Sequence, residues 1–374
     1  MKVISPNIKT VFFSLLKAGL WEKNIQLIPF EPIDFDALYQ LADEQSIVGL
    51  LAAGLEHVED RKVAKREALS FLKKVYSIET KNASMNQFID ALFQELKENG
   101  IFSVLVKGQG VAQCYERPQW RSSGDIDLFL DSNNYEKAKA FFSKKADSMH
   151  AEGAYTKHLG MEIDSWIVEL HGTLRSGLST TIDSVIDDLQ NDTFGNNRVR
   201  VWRNGDADVY LPAPENDVLF IFTHYLEHFY KGGIGLRQIC DWCRLLWTYR
   251  DSINNDLLRF RLKKMGLESE WKTFAAFSVE FLGMPSVAIP LYDPSPRWLR
   301  KAERIQSFIL EVGNLGRNRD MSYYQKYPYY VRKAISFWRR CCDLIRHAPI
   351  FPLNSFRFFP SIVFNGVISA VKGE

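Results

Sequence analysis

"QWRSSGDIDLFLDS", residues 119–132, places two aspartates one residue apart in a segment with the texture of a strand. Side chains alternate along a strand, so Ile126, Leu128 and Leu130 share one face. Asp125, Asp127 and Phe129 share the other. Two bare carboxylates on one side of a buried strand repel each other, and a bound cation removes that cost. Mg²⁺ is a hard cation that takes oxygen ligands, usually one or two carboxylates together with substrate phosphates. A carboxylate pair can also bridge two cations that clamp the attacking and leaving oxygens of a phosphoryl displacement.

The neighbouring segments fit that chemistry. "IFSVLV", residues 101–106, is β-branched and apolar and reads as a buried strand. It ends in Lys107-Gly108 and opens into "QGVAQCYE", read as a short helix whose first N–H groups would offer an anion site. Glycine permits close approach of a phosphate. Arg121 carries a fork suited to phosphate, although it could equally pair with an acid. Ser122 and Ser123 could donate to phosphate, while the bland reading of Asp125 and Asp127 is a solvated loop end or a turn cap. "SWIVELHG" puts Ile167, Glu169 and His171 on one strand face. Glu169 is the best placed third carboxylate, as a metal ligand or as a general base. "YTKHLGMEI" would pair with this strand as a hairpin. "NNYEKAKAFFSKKA" reads as a helix with an Asn cap, and "RVRVW" and "ADVYLP" form a second hairpin around Asn204-Gly205.

The order strand, Gly, helix, Asp-x-Asp strand, helix, later strand carboxylate resembles the DNA polymerase β-like nucleotidyltransferase superfamily. More narrowly, "LVKGQGVAQCYERPQWRSSGDIDLFL", "VELHGTL" and "THYLEHFYKGGIGLRQICDWCRLL" resemble a family of uncharacterised nucleotidyltransferases. The resemblance covers residues 100–250 well and the flanks only by type. It implies an α+β nucleotidyltransferase fold, with a small mixed or antiparallel sheet between helical regions. It implies Asp125, Asp127 and Glu169 as catalytic metal ligands for Mg²⁺ or Mn²⁺. Lys107, Gly108, Arg121 and Ser123 would contact a nucleoside triphosphate. The superfamily usually has Gly-Ser after its first strand, whereas this chain has Gly108-Gln109 preceded by Lys107. That departure agrees with the narrower family and leaves the phosphate contacts open.

The chain has 374 residues, 46% of them hydrophobic and 25% charged, with a formal net charge of +2. That composition builds cores and gives no overall pull towards nucleic acid. Its five cysteines do not form a disulfide framework. The N-terminus lacks a signal-peptide pattern, and no uncharged apolar run reaches the roughly 18 residues of a spanning helix. A reducing, cytoplasmic setting is expected. Three regions are expected: helical residues 1–98, the nucleotidyltransferase core at 99–213, and a helical region at 214–374. Within the first, residues 60–99 read as one long helix stopped at Gly100.

Several motifs carry two readings. His224 and His228 lie four apart on one helix and could ligate zinc, but a third ligand at the required spacing is missing. They read better as a packed pair facing the active-site cleft. Arg237 and Asp241, also four apart, read as a structural ion pair. Cys240 and Cys243 lie inside an amphipathic helix and read as buried structural thiols. "YYQKYPYYVRKAISFWRRCCDLIR", residues 323–346, has six basic residues, one acid and seven aromatics. It is open to three readings: a helix packed on the body, a nucleic-acid surface, or a peripheral membrane contact.

The expected activity is transfer of a nucleoside monophosphate from an NTP to an acceptor hydroxyl. The acceptor is expected to be a small molecule or protein rather than nucleic acid. The alternative is a nucleotide-binding sensor or scaffold with little turnover.

Overall fold

A computed structural model of the chain describes residues 4–150, 152 and 158–372. Tyr155, Thr156 and Lys157 of the expected first hairpin lie outside the described residues.

Four helices open the chain: α1 Pro6–Trp21, α2 Phe35–Glu44, α3 Val48–Glu56 and α4 Lys65–Glu98. Helices α1 and α3 cross backbone to backbone. A Cβ on Gly19 would lie 1.8 Å from the Leu50 carbonyl oxygen, and one on Gly54 would lie 2.1 Å from that of Leu15. Helix α4 has 34 residues, about 51 Å at 1.5 Å per residue. Glu67 caps its start by accepting from the Ala64 N–H at 2.8 Å. It ends where expected, with Gly100 at φ +62° and the Ile101 N–H closing on the Leu96 carbonyl at 2.9 Å.

The central sheet follows. Its strands are β1 Val104–Val106, β2 Ile126–Phe129, β3 Ser148–Met149, β4 His158–Ile163 and β5 Trp166–His171. Their spatial order is β1-β2-β5-β4-β3. Only β2 and β5 pair in parallel; every other neighbour is antiparallel. Helix α5 Gly108–Ala112 leads from β1 towards β2, and α6 Ser132–Phe142 follows β2. The cap of α6 is Asp131 and not an asparagine: its carboxylate accepts from the Asn133 and Asn134 N–H groups. Helix α7 Thr180–Gly195 then precedes the two-stranded hairpin β6 Val199–Asn204 and β7 Ala207–Pro212. The strand pattern did not reveal α7.

The sheet divides two apolar clusters along the lines the alternation predicts. Ile126 and Leu128 of β2, with Leu130 just after it, enter a cluster with α4 and α6. Phe129, Val104 and Val106 face a larger cluster built from both ends of the chain, from Val11 to Phe358. The helices of that body are α8 Pro214–Lys231, α9 Leu236–Thr248, α10 Asn255–Met265, α11 Glu268–Leu282 and α12 Pro296–Val312. The short α13 Tyr323–Lys326, then α14 Tyr329–His347 and α15 Pro352–Lys372, end the described chain. Among the described residues, no helix is long and apolar enough to cross a membrane.

His347 anchors α14 to this body. It is 2% exposed, and its ring centroid lies 4.4 Å from that of Phe229 and 4.9 Å from that of Phe308. Burial first, and then the guanidinium groups of Arg319, Arg346 and Arg340, hold it down at about 3. Because the folded value is depressed, the unfolded chain takes the proton more readily. The stability tied to this ring is therefore full above the unfolded value near 6.5 and is lost as pH falls towards 3. Each fully shifted histidine should contribute about 1.4 kcal/mol per pH unit within that window. Urea denaturation at pH 7.5 and pH 5 should show the loss, and His347→Leu should flatten part of it. An unchanged pH dependence in the variant would contradict the assignment.

Candidate active site

Parallel pairing of β2 with β5 sets Asp127 directly beside Glu169, and Phe129 beside His171. Carboxylate oxygens of Asp125, Asp127 and Glu169 lie within 4.8 Å of one another. The three expected acids therefore converge on one face and one end of the sheet. Asp127 is buried, Glu169 half-buried and Asp125 exposed.

Two cationic partners offset part of this charge. Lys107 Nζ lies 2.8 Å from Asp127 Oδ1, and His171 Nε2 lies 2.7 Å from the same oxygen. Burial works to raise the Asp127 carboxyl, but Lys107 and His171 override it and hold it down at about 2. Glu169 is held well below the usual carboxylate range by His158, at 2.9 Å, and by His171. Asp125 is pushed the other way, by partial burial and then by Asp127 and Glu169. It is the anion with least compensation, which is where a further cation would be most favourable. An all-carboxylate donor set suits Mg²⁺ or Mn²⁺. A second group, His158, Glu169 and His171, shares Glu169 and offers two imidazoles.

The turn before α5 has an unusual backbone. Lys107 is at φ +58° and Gly108 at φ +40°. A non-glycine residue held in that region marks local strain, of the kind stored at functional sites. It aims the lysine across the strand ends at Asp127. Helix α5 has only five residues, so its dipole is small, and the expected helix N-terminal anion site loses most of its force.

The loop carrying Ser122, Ser123 and Asp125 is held from several elements. Arg121 gives Nε and Nη2 to the two oxygens of Asp241, each at 2.7 Å, and Nη1 to Ser123 Oγ at 3.0 Å. Tyr115 donates to the same Asp241 at 2.8 Å. Asp241 thus pairs with Arg121 and not with Arg237, the helical neighbour that sequence spacing favours. A bidentate fork from the facing loop satisfies both carboxylate oxygens at once. Arg237 instead donates to the Ser122 carbonyl at 2.7 Å, and its Nε is buried with no partner. From α4, Asn82 donates to the carbonyls of Gln119 and Arg121 at 2.8 and 2.7 Å, and accepts from Gln109. Asn82 was not anticipated. Its signal was a polar residue in the apolar stripe Ile78, Asn82, Met85, Ile89.

A cavity of about 230 Å³ adjoins the carboxylates. Lys107, His158, Glu169, His171, Arg175, His224, Glu227 and His228 line it. His224 and His228 face the cleft, their Nε2 atoms 3.1 Å apart. Burial lowers both, which disfavours their charged forms. Among the described residues, no third metal-ligating side chain joins them. A larger cavity of about 900 Å³ lies between α2, α12 and α14 and contains none of the carboxylates. The thiols of Cys240 and Cys243 are buried and pushed up, the latter to about 12. They are structural, as expected.

Removing either member of the Arg121–Asp241 pair leaves a buried charge alone, at a cost of about 3–5 kcal/mol. Arg121→Met or Asp241→Leu should each lower the denaturation midpoint sharply, and the double variant should recover part of the loss. Equal and additive effects would show that the pair is not coupled.

No curated protein and no solved structure matches the chain. One family model does, described as an uncharacterised nucleotidyltransferase, over residues 31–283. That span runs from just before α2 through the sheet, the carboxylates, the histidine pair and α9 to α11. It takes in more than half of the chain, and with it the chain belongs to the uncharacterised nucleotidyltransferase family.

Proposed function

We propose that the protein transfers a nucleoside monophosphate from an NTP to an acceptor hydroxyl. The observation that carries this reading is the convergence within 4.8 Å of Asp127 and Glu169, on adjacent parallel strands, and Asp125, just before the first of them. Bound Mg²⁺ or Mn²⁺ would neutralise charge on the triphosphate and on the attacking and leaving oxygens. Asp125, Asp127 and Glu169 would hold the cations. Lys107, with Gly108 beside it, stands where the β1 turn meets the carboxylates and balances Asp127. Arg121 orders the loop through Asp241 and Ser123. Arg237 retains donor capacity and is the better phosphate contact of the two arginines.

In the reaction, the acceptor oxygen bonds to the α-phosphorus and the bond to the leaving pyrophosphate breaks. Glu169 is a weak proton acceptor because His158 and His171 stabilise its anion. The hydroxyl proton would pass to one of the three site carboxylates. Most of the rate would come from positioning and charge neutralisation.

The adjoining cavity of about 230 Å³ is smaller than the roughly 300–1,000 Å³ of pockets for drug-sized ligands. A small molecule or a protein side chain is the acceptor this reading favours.

Calorimetric titration of ATP, GTP, CTP and UTP with Mg²⁺ should show binding of at least one nucleotide. An Asp125→Asn/Asp127→Asn variant should lose the metal-dependent part and about 10³-fold in transfer activity. Binding that persists unchanged in that variant would sink the metal assignment. Tight binding without pyrophosphate release for any acceptor would favour the sensor or scaffold reading. Arg237→Met should weaken NTP binding by roughly 10-fold or more, as expected for a lost charge-assisted hydrogen bond. Unaltered affinity would remove Arg237 from the phosphate site.

A further inference from the structure

Helix α14 sits on the body with its polar side inward. Asp343 is 3% exposed and accepts a bidentate pair of hydrogen bonds from Arg319, each 2.9 Å long. His347 is buried against Phe229. The apolar residues Tyr330, Phe337, Trp338 and Ile345 face outward, with Trp338 68% exposed. At 100° per residue these four fall within a sector of about 100°. A helix packed for stability alone would turn this sector inward.

Helix α15 repeats the pattern. Leu353, Phe356 and Phe364 are exposed, Leu353 at 86%, and they share one side at helical spacing. The two helices pack against each other, so the chain ends in a hairpin with an uncovered apolar stripe on each arm.

Charge selects what covers it. Residues 323–372 carry eight Lys and Arg against a single Asp, Asp343. The remaining chain carries 39 basic and 44 acidic residues. The hairpin is therefore strongly positive on a body that is slightly negative. A second copy meeting the same face would bring two like-charged surfaces together. An anionic lipid surface matches both properties, since it takes aromatic and aliphatic side chains at the headgroup boundary and attracts basic ones. Basic residues near such a surface are drawn to its negative potential, an attraction that salt screens.

We propose that the α14–α15 hairpin docks the protein on anionic membrane surfaces, with Phe337, Trp338 and Ile345 entering the interface. This docking is independent of nucleotide transfer and leaves the carboxylate site on the central sheet.

Co-sedimentation of the full chain with phosphatidylcholine vesicles, with and without phosphatidylglycerol, tests it. Binding should require the anionic lipid, weaken as salt rises, and fall at least 10-fold in a Phe337→Ser/Trp338→Ser variant. Both side chains are exposed, so the variant should keep its denaturation midpoint. Absence of vesicle binding would overturn the proposal, as would binding indifferent to the double substitution. Gel filtration supplies a further arm. A concentration-dependent dimer of the parent chain that the substitutions abolish would assign the face to a second copy instead.

Discussion

The mutual repulsion of three carboxylates at one end of a small sheet is the constraint around which this protein is organised. Asp125, Asp127 and Glu169 come together because β2 and β5 run parallel and in a register that pairs Asp127 with Glu169. A slip of one residue would send the aspartates into the apolar cluster under α6. Register is enforced from both faces, by Ile126, Leu128 and Leu130 on one and Phe129 on the other. The remaining charge is met by Lys107 and His171 at Asp127, and by His158 at Glu169. Of the three, Asp125 alone is left raised and exposed.

Holding acids in place also requires holding the loop that delivers them. That loop is gripped from helices far apart in sequence. Asn82 comes from α4, Asp241 and Arg237 from α9, and Arg121 from the loop itself. The large apolar cluster likewise runs from Val11 to Phe358. The flanking helices therefore act as the frame of the site, and a change at Asp241 reaches Asp125 through one guanidinium and one short loop.

Much of this was legible in the sequence, because the relevant signals are local. Strand alternation located the two faces of β2 and put Glu169 and His171 together. The stop at Gly100, both hairpins and the long α4 followed from turn and cap chemistry. The illegible parts are those that depend on non-local partners. Sequence spacing paired Arg237 with Asp241, whereas Arg121 takes that acid across the fold. Asn82 and Gln109 matter only through carbonyls and side chains of other elements. Helix α7 does carry apolar residues at helical spacing, Ile182, Val185, Ile186 and Leu189, behind a Ser179 cap that accepts from the Ile182 N–H, so its signal was local and went unread among the many Ser, Thr and Asp. Two positive-φ residues in succession at Lys107 and Gly108 have no reliable one-dimensional signature beyond the glycine itself.

Helix α8 explains how the C-terminal hairpin can face outward without loosening the site. Along α8, His224 and His228 line the cavity beside the carboxylates, and the next residues, Phe229 and Tyr230, pack on His347 of α14. Tyr230 also donates to Oε1 of the buried Glu270, and Asn354 of α15 donates to the same oxygen. The hairpin is thus fastened by polar and aromatic contacts on its inner side. Tyr330, Phe337 and Trp338 take no part in those contacts, so the inner side fastens the hairpin and the outer stripe is left largely in water. An apolar stripe relieved of packing and left in water lowers solubility and invites aggregation. Its cost is offset only if something outside the chain covers it.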